Sequence, residues 1–294
     1  MKIHLLGSTG YVGSWIRKYF SEAGYDVHTI SVDVRDRQAV QAALKDAHDS
    51  VVINATGKTG KPNVDWCEDH KLETAEVNIT GAVNVCSVAS AQGNYVVQIG
   101  SGCIFNSECG VGSLERGENS ELRSPNSELF TEDDKPNFYG SFYSATKAVA
   151  EGALREIPNV CILRIRMPLQ GSSHPKNLLD KLLGYSKVMS VPNSVTVMED
   201  LMPFIERVIE KRPTGPLNAV NPGVYEHRDL LELYRELVDG SRQWEYIGLE
   251  EFSGMVRAER SNCVLSTKRS EEMGIAMPPV QESLRRVVES YRMP

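Results

Sequence analysis

Residues 2–6 form a short apolar run that passes without a break into Gly7-Ser8-Thr9-Gly10-Tyr11-Val12-Gly13. A helical pattern follows, carried by Val12, Trp15, Ile16, Tyr19 and Phe20, and it stops at Gly24. A strand that turns on glycines straight into a helix narrows the choice of fold sharply. Small residues at such a turn let backbone N–H groups approach a pyrophosphate at the helix N-terminus. Gly7, Ser8, Thr9, Gly10, Tyr11, Val12 and Gly13 are therefore the candidate cofactor loop.

The rest of the first half repeats the alternation. Residues 26–32 read as a second strand, and Asp33-Val-Arg-Asp36 turns into a helix through Asp46. A third strand over 50–54 ends in Ala55-Thr56-Gly57, where a cofactor should cross the strand ends. A helix over 72–92 turns Val77, Ala82, Val83, Cys86 and Ala89 inward, and strands over 94–99 and 159–165 complete the set. Strands and helices in strict alternation imply an α/β fold with a doubly wound parallel sheet. After Arg166-Met167-Pro168 the character changes. A short helix over 177–185 leads to one over 199–211 with Pro203 in its first turn, then a last sheet strand over 215–220 and helices near 226–239 and 280–291. The expected division is a dinucleotide-binding part, 1–166 with roughly 195–222, and a smaller C-terminal α/β substrate part, 167–194 with 223–294.

Chemistry is expected in the helix before the fifth strand. Tyr143 and Lys147 stand four apart there, hence one above the other on one helix face. A neighbouring ammonium should lower the phenol from its ordinary pKa of about 10. A phenol so tuned can exchange a proton with an alcohol or ketone oxygen while hydride moves at the carbon. None of the other ten tyrosines has a lysine four residues on. The stretch 106–136, rich in Ser, Glu, Asn and Gly, reads either as a solvated excursion or as a lid over the site.

Composition excludes several classes. A net charge of −7 with pI near 5.5 argues against nucleic-acid or anionic-membrane partners. The longest apolar runs are strand-sized, so no membrane span is expected. With a strand expected from the second residue on, no secretion signal is expected. The six cysteines contain no Cys-x-x-Cys pair and are expected as reduced thiols in a cytoplasmic protein. Cys67-Glu-Asp-His70 lacks the second ligand pair of a zinc site, so no metal is expected.

The glycine loop, Asn54-Ala-Thr-Gly57, Ser101-Gly-Cys103 and Tyr143/Lys147 together resemble an extended short-chain dehydrogenase/reductase of the Rossmann kind. Within that superfamily the chain is similar to dTDP-4-dehydrorhamnose reductases. Its stretches 60–68, 102–105, 137–147 and 163–168, with Asn221-Pro-Gly223 and Arg260-Ser-Asn262, resemble the 3,5-epimerase/4-reductase module of plant and giant-virus UDP-rhamnose synthases. The resemblance implies a bifunctional enzyme that turns UDP-4-keto-6-deoxy-glucose into UDP-L-rhamnose with NADPH. By that resemblance Tyr143 is the acid for the C4 oxygen, Lys147 its partner and ribose ligand, and Ser101 a donor to the substrate carbonyl. Cys103 matches the epimerase cysteine and Lys181 its partner lysine. Asn63, Asp65, Asn177 and Arg260 fall to the substrate.

The chemistry of the pair is sound on its own terms. Protons at C3 and C5 are acidic because the enolate spreads charge onto the C4 oxygen. Inversion needs a base on one face and a donor on the other, roles a thiolate and a lysine can fill. Three departures from the family pattern stand out: a longer stretch 106–136, Ser266-Thr267 in place of an Asp-containing pair, and Asp33 near the ribose. An acidic side chain there favours NADH, whereas Arg35 or Arg37 can meet a 2′-phosphate. NADPH is expected first, NADH second. The substrate is expected to be a UDP-sugar before a dTDP-sugar, and a homodimer is open. The alternatives are a 4-reductase alone or a regulatory subunit that keeps the cofactor fold without turnover.

Overall fold

The computed structural model describes residues 1–61, 63–107 and 129–291. Most of the candidate lid, 108–128, lies outside the described residues. The chain opens with β1 (Lys2–Leu6), α1 (Tyr11–Glu22), β2 (Asp26–Ile30), α2 (Arg37–Ala43) and β3 (Val51–Asn54). It continues with α3 (Trp66–Asp69), α4 (Lys71–Ala75), a π-helical turn (Glu76–Gly81), α5 (Ala82–Ala91), β4 (Tyr95–Ser101), α6 (Phe142–Leu154) and β5 (Val160–Ile165). Then come β6 (Pro168–Leu169), α7 (Leu178–Leu183), β7 (Lys187–Met189), β8 (Thr196–Val197), α8 (Met198–Lys211) and β9 (Gly215–Asn218). The chain closes with α9 (His227–Leu237), β10 (Glu245–Ile247), α10 (Leu249–Ser253), α11 (Lys268–Glu272) and α12 (Val280–Ser290).

Six strands form one parallel sheet in the order β2-β1-β3-β4-β5-β9. The order reverses between β1 and β3, and ligands of doubly wound sheets bind at that switch. β3 and β5 are buried along their whole length, as strands covered on both faces must be. On one face Ile3, Leu5, Val97 and Leu163 pack against Ile16 and Phe20 of α1 and Leu201 and Ile205 of α8. On the other Leu6, Val52, Val96 and Ile162 meet Val40 of α2 and Val85 and Ala89 of α5.

A second core gathers Leu178, Leu182, Leu230, Tyr234, Leu284 and Val288 from α7, α9 and α12. Val195 and Val197 belong to it, although the sequence assigned residues from about 195 to the nucleotide part. The chain's return to the sheet therefore starts with α8. That helix begins at Met198, which puts Pro203 sixth in it, beyond the first turn where proline is free of cost.

The long helix expected over 72–92 is interrupted by the π-turn Glu76–Gly81. The pairs β6·β8 and β7·β10 were not foreseen; strands of two or three residues carry no readable period.

Candidate active site

The loop after β1 is shaped by what its glycines leave out. Gly7 takes φ +78°, and a Cβ there would stand 2.6 Å from the Ala55 carbonyl carbon at the end of β3. A Cβ on Gly13 would stand 2.1 Å from the Gly7 carbonyl oxygen. The Gly10 N–H closes the turn onto that oxygen at 3.0 Å. Gly10 caps α1 without a side-chain bond, so the first-turn N–H groups lack intrahelical acceptors and face the switch point. Ser8 and Thr9 sit in the turn itself. Val12 packs on the core beneath it. The Tyr11 ring stacks on His174 at 4.5 Å, and its buried hydroxyl has no hydrogen-bond partner among the described residues.

Across the switch, Thr56 donates from N and Oγ1 to Asn54 Oδ1, at 3.1 and 2.7 Å. Asn54 in turn donates to Gln98 on β4 at 2.7 Å. The π-turn places Asn78 where it accepts from the Lys58 N–H at 2.8 Å and donates to Thr146 Oγ1 at 3.1 Å. Gly57 lies beside it, its absent Cβ 3.5 Å from Asn78 Oδ1. One side chain thus ties the loop after β3 to the helix that carries Tyr143 and Lys147. Asn78 went unremarked in the sequence, since π-turns are set by packing rather than by a residue pattern.

Asp33 does not stand free at the ribose position. Arg35 clasps it through Nε and Nη2 at 2.9 and 2.7 Å and reaches Glu76 at 3.2 Å. The Asp33 carboxyl is held down at about 2, first by that side-chain bond. The acid that favoured NADH is thereby paired, and its guanidinium is shared with the second carboxylate of Glu76. Arg37 instead donates to Ser87 at 2.7 Å.

Helix α6 is fixed at its start by two caps. Ser141 Oγ accepts from the Ser144 N–H at 3.1 Å, and Glu68 Oε1 from the Phe142 N–H at 2.7 Å. The metal-like stretch 67–70 is thus used structurally: Glu68 caps α6, Asp69 pairs with Arg257 at 2.7 Å, and His70 stacks on Trp66. Tyr143 and Lys147 are both partly buried. Lys147 Nζ donates to the Ile99 carbonyl at 3.3 Å, and burial lowers it to about 8 against the pull of Glu151.

The phenol behaves differently from expectation. Burial raises Tyr143 above its ordinary value and nearby Cys103 adds to that, while a hydrogen bond with Ser101 works downward. Without ligands, Ser101 rather than Lys147 is the group that eases its ionisation. The spacing of four aligns the two side chains, but Lys147 gives one of its three N–H donors to the backbone of β4.

Ser101 ends β4 and Cys103 lies two residues beyond, its N–H donating to Ser101 Oγ at 3.1 Å. Cys103 is partly exposed, and Arg166 Nη1 donates to its sulfur at 3.3 Å. Cys67, Cys86, Cys161 and Cys263 are buried free thiols; burial raises Cys86 and Cys161 to about 12. These four behave as small packing residues.

The substrate candidates divide. Asn63 Oδ1 accepts from the Asp65 N–H at 2.8 Å, and Asp65 pairs with Arg260 Nη1 at 2.9 Å, 195 residues away. Lys181 on α7 lies in the field of Arg260 and Lys176, and burial followed by these cations lowers it. Lys181 thus shares its surroundings with Arg260, whose own partners are Asp65 and the Ala258 carbonyl. Asn177 is fully buried, accepts from the Gln170 N–H at 3.0 Å and donates to Asp180 at 2.7 Å, so its amide helps to hold the fold of 170–180.

The chain matches the family model for the RmlD substrate binding domain over residues 1–203. It is 36% identical to an Arabidopsis thaliana bifunctional dTDP-4-dehydrorhamnose 3,5-epimerase/dTDP-4-dehydrorhamnose reductase, covering 97% of this chain and 91% of the relative. It is 34% identical to an Arabidopsis trifunctional UDP-glucose 4,6-dehydratase/UDP-4-keto-6-deoxy-D-glucose 3,5-epimerase/UDP-4-keto-L-rhamnose-reductase, of which it spans only 42%. The crystal structure of the L780 UDP-rhamnose synthase from Acanthamoeba polyphaga mimivirus superimposes with a TM-score of 0.89 at 29% identity, over 99% of both chains. A family model matched over two thirds of the chain and a relative aligned almost end to end lead to one conclusion: this chain belongs to the RmlD substrate-binding-domain family.

Proposed function

We propose that the protein is a bifunctional nucleotide-sugar 3,5-epimerase/4-reductase that converts UDP-4-keto-6-deoxy-glucose into UDP-L-rhamnose. The observation that supports this reading is the gathering of Ser101, Cys103, Tyr143 and Lys147 around the carboxyl end of β4. The names of the Arabidopsis and mimivirus relatives support both the reaction and the substrate class.

The residues present fit a dinucleotide. Gly7 and Gly13 let the turn close tightly on the Ala55 backbone and on its own carbonyl, which leaves the N-terminus of α1 free of side chains, and Arg35 is the guanidinium that would meet a 2′-phosphate. NADPH is the preferred cofactor on that ground; a reductase of this fold from Bacillus anthracis, 18% identical with a TM-score of 0.79, was solved with NADP. When bound, NADPH supplies the hydride. Lys147 would hold the ribose and Tyr143 would give its proton to the C4 oxygen.

Epimerisation comes first in this scheme. The Cys103 sulfur takes the proton at C5 or C3, an S–H bond forms, and the electron pair moves to the C4 oxygen. Tyr143 and Ser101 donate hydrogen bonds to that oxyanion, so one pre-organised site serves both reactions. Lys181 delivers a proton to the opposite face and forms the new C–H bond. Exchange with solvent returns the thiol and amine to their starting states.

The test is incubation with UDP-4-keto-6-deoxy-glucose in D2O, with and without NADPH. Deuterium entering C3 and C5 without cofactor, and rhamnose forming only with it, supports the scheme. Reduction without ring deuterium leaves a reductase alone and sinks the epimerase half.

A further inference from the structure

Arg166 ends the run that leads out of β5, and its side chain is 1% exposed. Nε and Nη2 donate to Asn193 Oδ1 at 3.2 and 2.5 Å. Nη2 also reaches the Ser261 carbonyl at 2.6 Å. Nη1 reaches Ser261 Oγ at 2.9 Å and Cys103 Sγ at 3.3 Å. Two oxygens of the set are amide or peptide oxygens and the third is a hydroxyl. Arg164, two residues earlier and equally buried, faces the Glu151 carboxylate at 2.7 Å. Arg166 has no carboxylate partner among the described residues. A buried, unpaired charge is among the costlier things a fold can hold.

Four ionisable groups surround Cys103: Arg166 beyond β5, Tyr143 and Lys147 on α6, and Cys263 on the segment 261–265. Burial raises Cys263, whose S–H donates to the Gly102 carbonyl at 3.4 Å, so it does not supply the anion. Lys147 is turned to Ile99. Only the guanidinium hydrogen-bonds the Cys103 sulfur among the described residues, and Met167 next to it is held at φ +41°, a costly conformation for a side-chain-bearing residue.

We propose that Arg166 is the positioning residue of the epimerase half: it holds Cys103 as a thiolate aimed into the cleft, and that thiolate is its missing counter-ion. This rests on the reading of Cys103 as the base. The interaction is a charge-assisted hydrogen bond, which aims the sulfur and stores it in the form that takes a proton.

The test is alkylation of the full chain with iodoacetamide, read at the Cys103 peptide by mass. At pH 7, Arg166→Met should react about tenfold more slowly than wild type and Arg166→Lys within about threefold. At pH 10, where thiols in general ionise, the rates should converge. A merely structural role predicts the opposite at pH 7, because a loosened pocket exposes the sulfur. An Arg166→Met rate equal to or above wild type, or a deficit that persists at pH 10, overturns the proposal. Should that variant fail to fold, the thiolate absorbance near 240 nm at pH 7, wild type minus Cys103→Ala, decides; its absence overturns the proposal. Failure of the parent reading is distinct: Cys103→Ala would then keep deuterium exchange at C3 and C5 whatever the alkylation rates show.

Discussion

Lys147 concentrates the electrostatics of the site in one side chain. Burial lowers it to about 8, so in the free protein it is cationic below that pH and neutral above it. If the cation is what orients the ribose and supports Tyr143, kcat/KM for the reduction falls as pH rises through about 8, since that ratio reports groups of the free enzyme. A profile flat to pH 9.5 would count against this role. The residue types and spacing of the pair were legible from the sequence, because a spacing of four on a helix is local geometry. The partner of each side chain was not. Whether Lys147 turns to Tyr143 or to the Ile99 carbonyl depends on where β4 lies, and the bond from Arg166 to Cys103 spans 63 residues.

Among the elements, the strand–glycine–helix unit is the most sharply determined. Gly13→Ala would push a methyl to 2.1 Å from the Gly7 carbonyl oxygen. Overpacking of this kind costs about 1–3 kcal/mol. A lower melting temperature together with weaker NADPH binding by titration is the expected result; unchanged binding would remove the loop from the cofactor site. Helix α6 depends on a less visible device. Glu68→Gln keeps an acceptor for the Phe142 N–H but removes the negative charge at the helix N-terminus, worth about 0.3–1 kcal/mol. Reduction should slow more than stability falls, as measured by turnover beside thermal unfolding. Strands and long helices could be read from apolar runs bounded by glycine and aspartate. The π-turn with Asn78 and the cap from Glu68 could not, since both exist only once α3 to α5 pack on α6.

For the molecule as a whole, the alternation of strands and helices announced the parallel sheet, and the observed order places the reversal between β1 and β3 as that topology requires. The C-terminal part was less legible, because its second core is assembled from α7, α9 and α12, separated in sequence. Its buried His227 sets an acid limit. Burial lowers this imidazole to about 4, though its Nδ1 lies 2.8 Å from the Met189 carbonyl oxygen. The unfolded chain binds that proton near 6.5 and the folded one only near 4, so stability is lost as pH falls through this window. His227→Gln should flatten melting temperature against pH between 6.5 and 4; an unchanged slope would assign the loss to other groups.

The most direct test of one cleft performing both reactions is the separation of its halves by two single substitutions. Cys103→Ala and Tyr143→Phe are each given UDP-4-keto-6-deoxy-glucose in D2O, and separately NADPH with the ketone already epimerised. Cys103→Ala should lose deuterium uptake at C3 and C5 yet reduce the epimerised ketone, while Tyr143→Phe loses the reduction and retains the exchange at a slower rate, Ser101 remaining as donor to the enolate oxygen. Exchange surviving in Cys103→Ala, or normal reduction by Tyr143→Phe, would contradict the assignment.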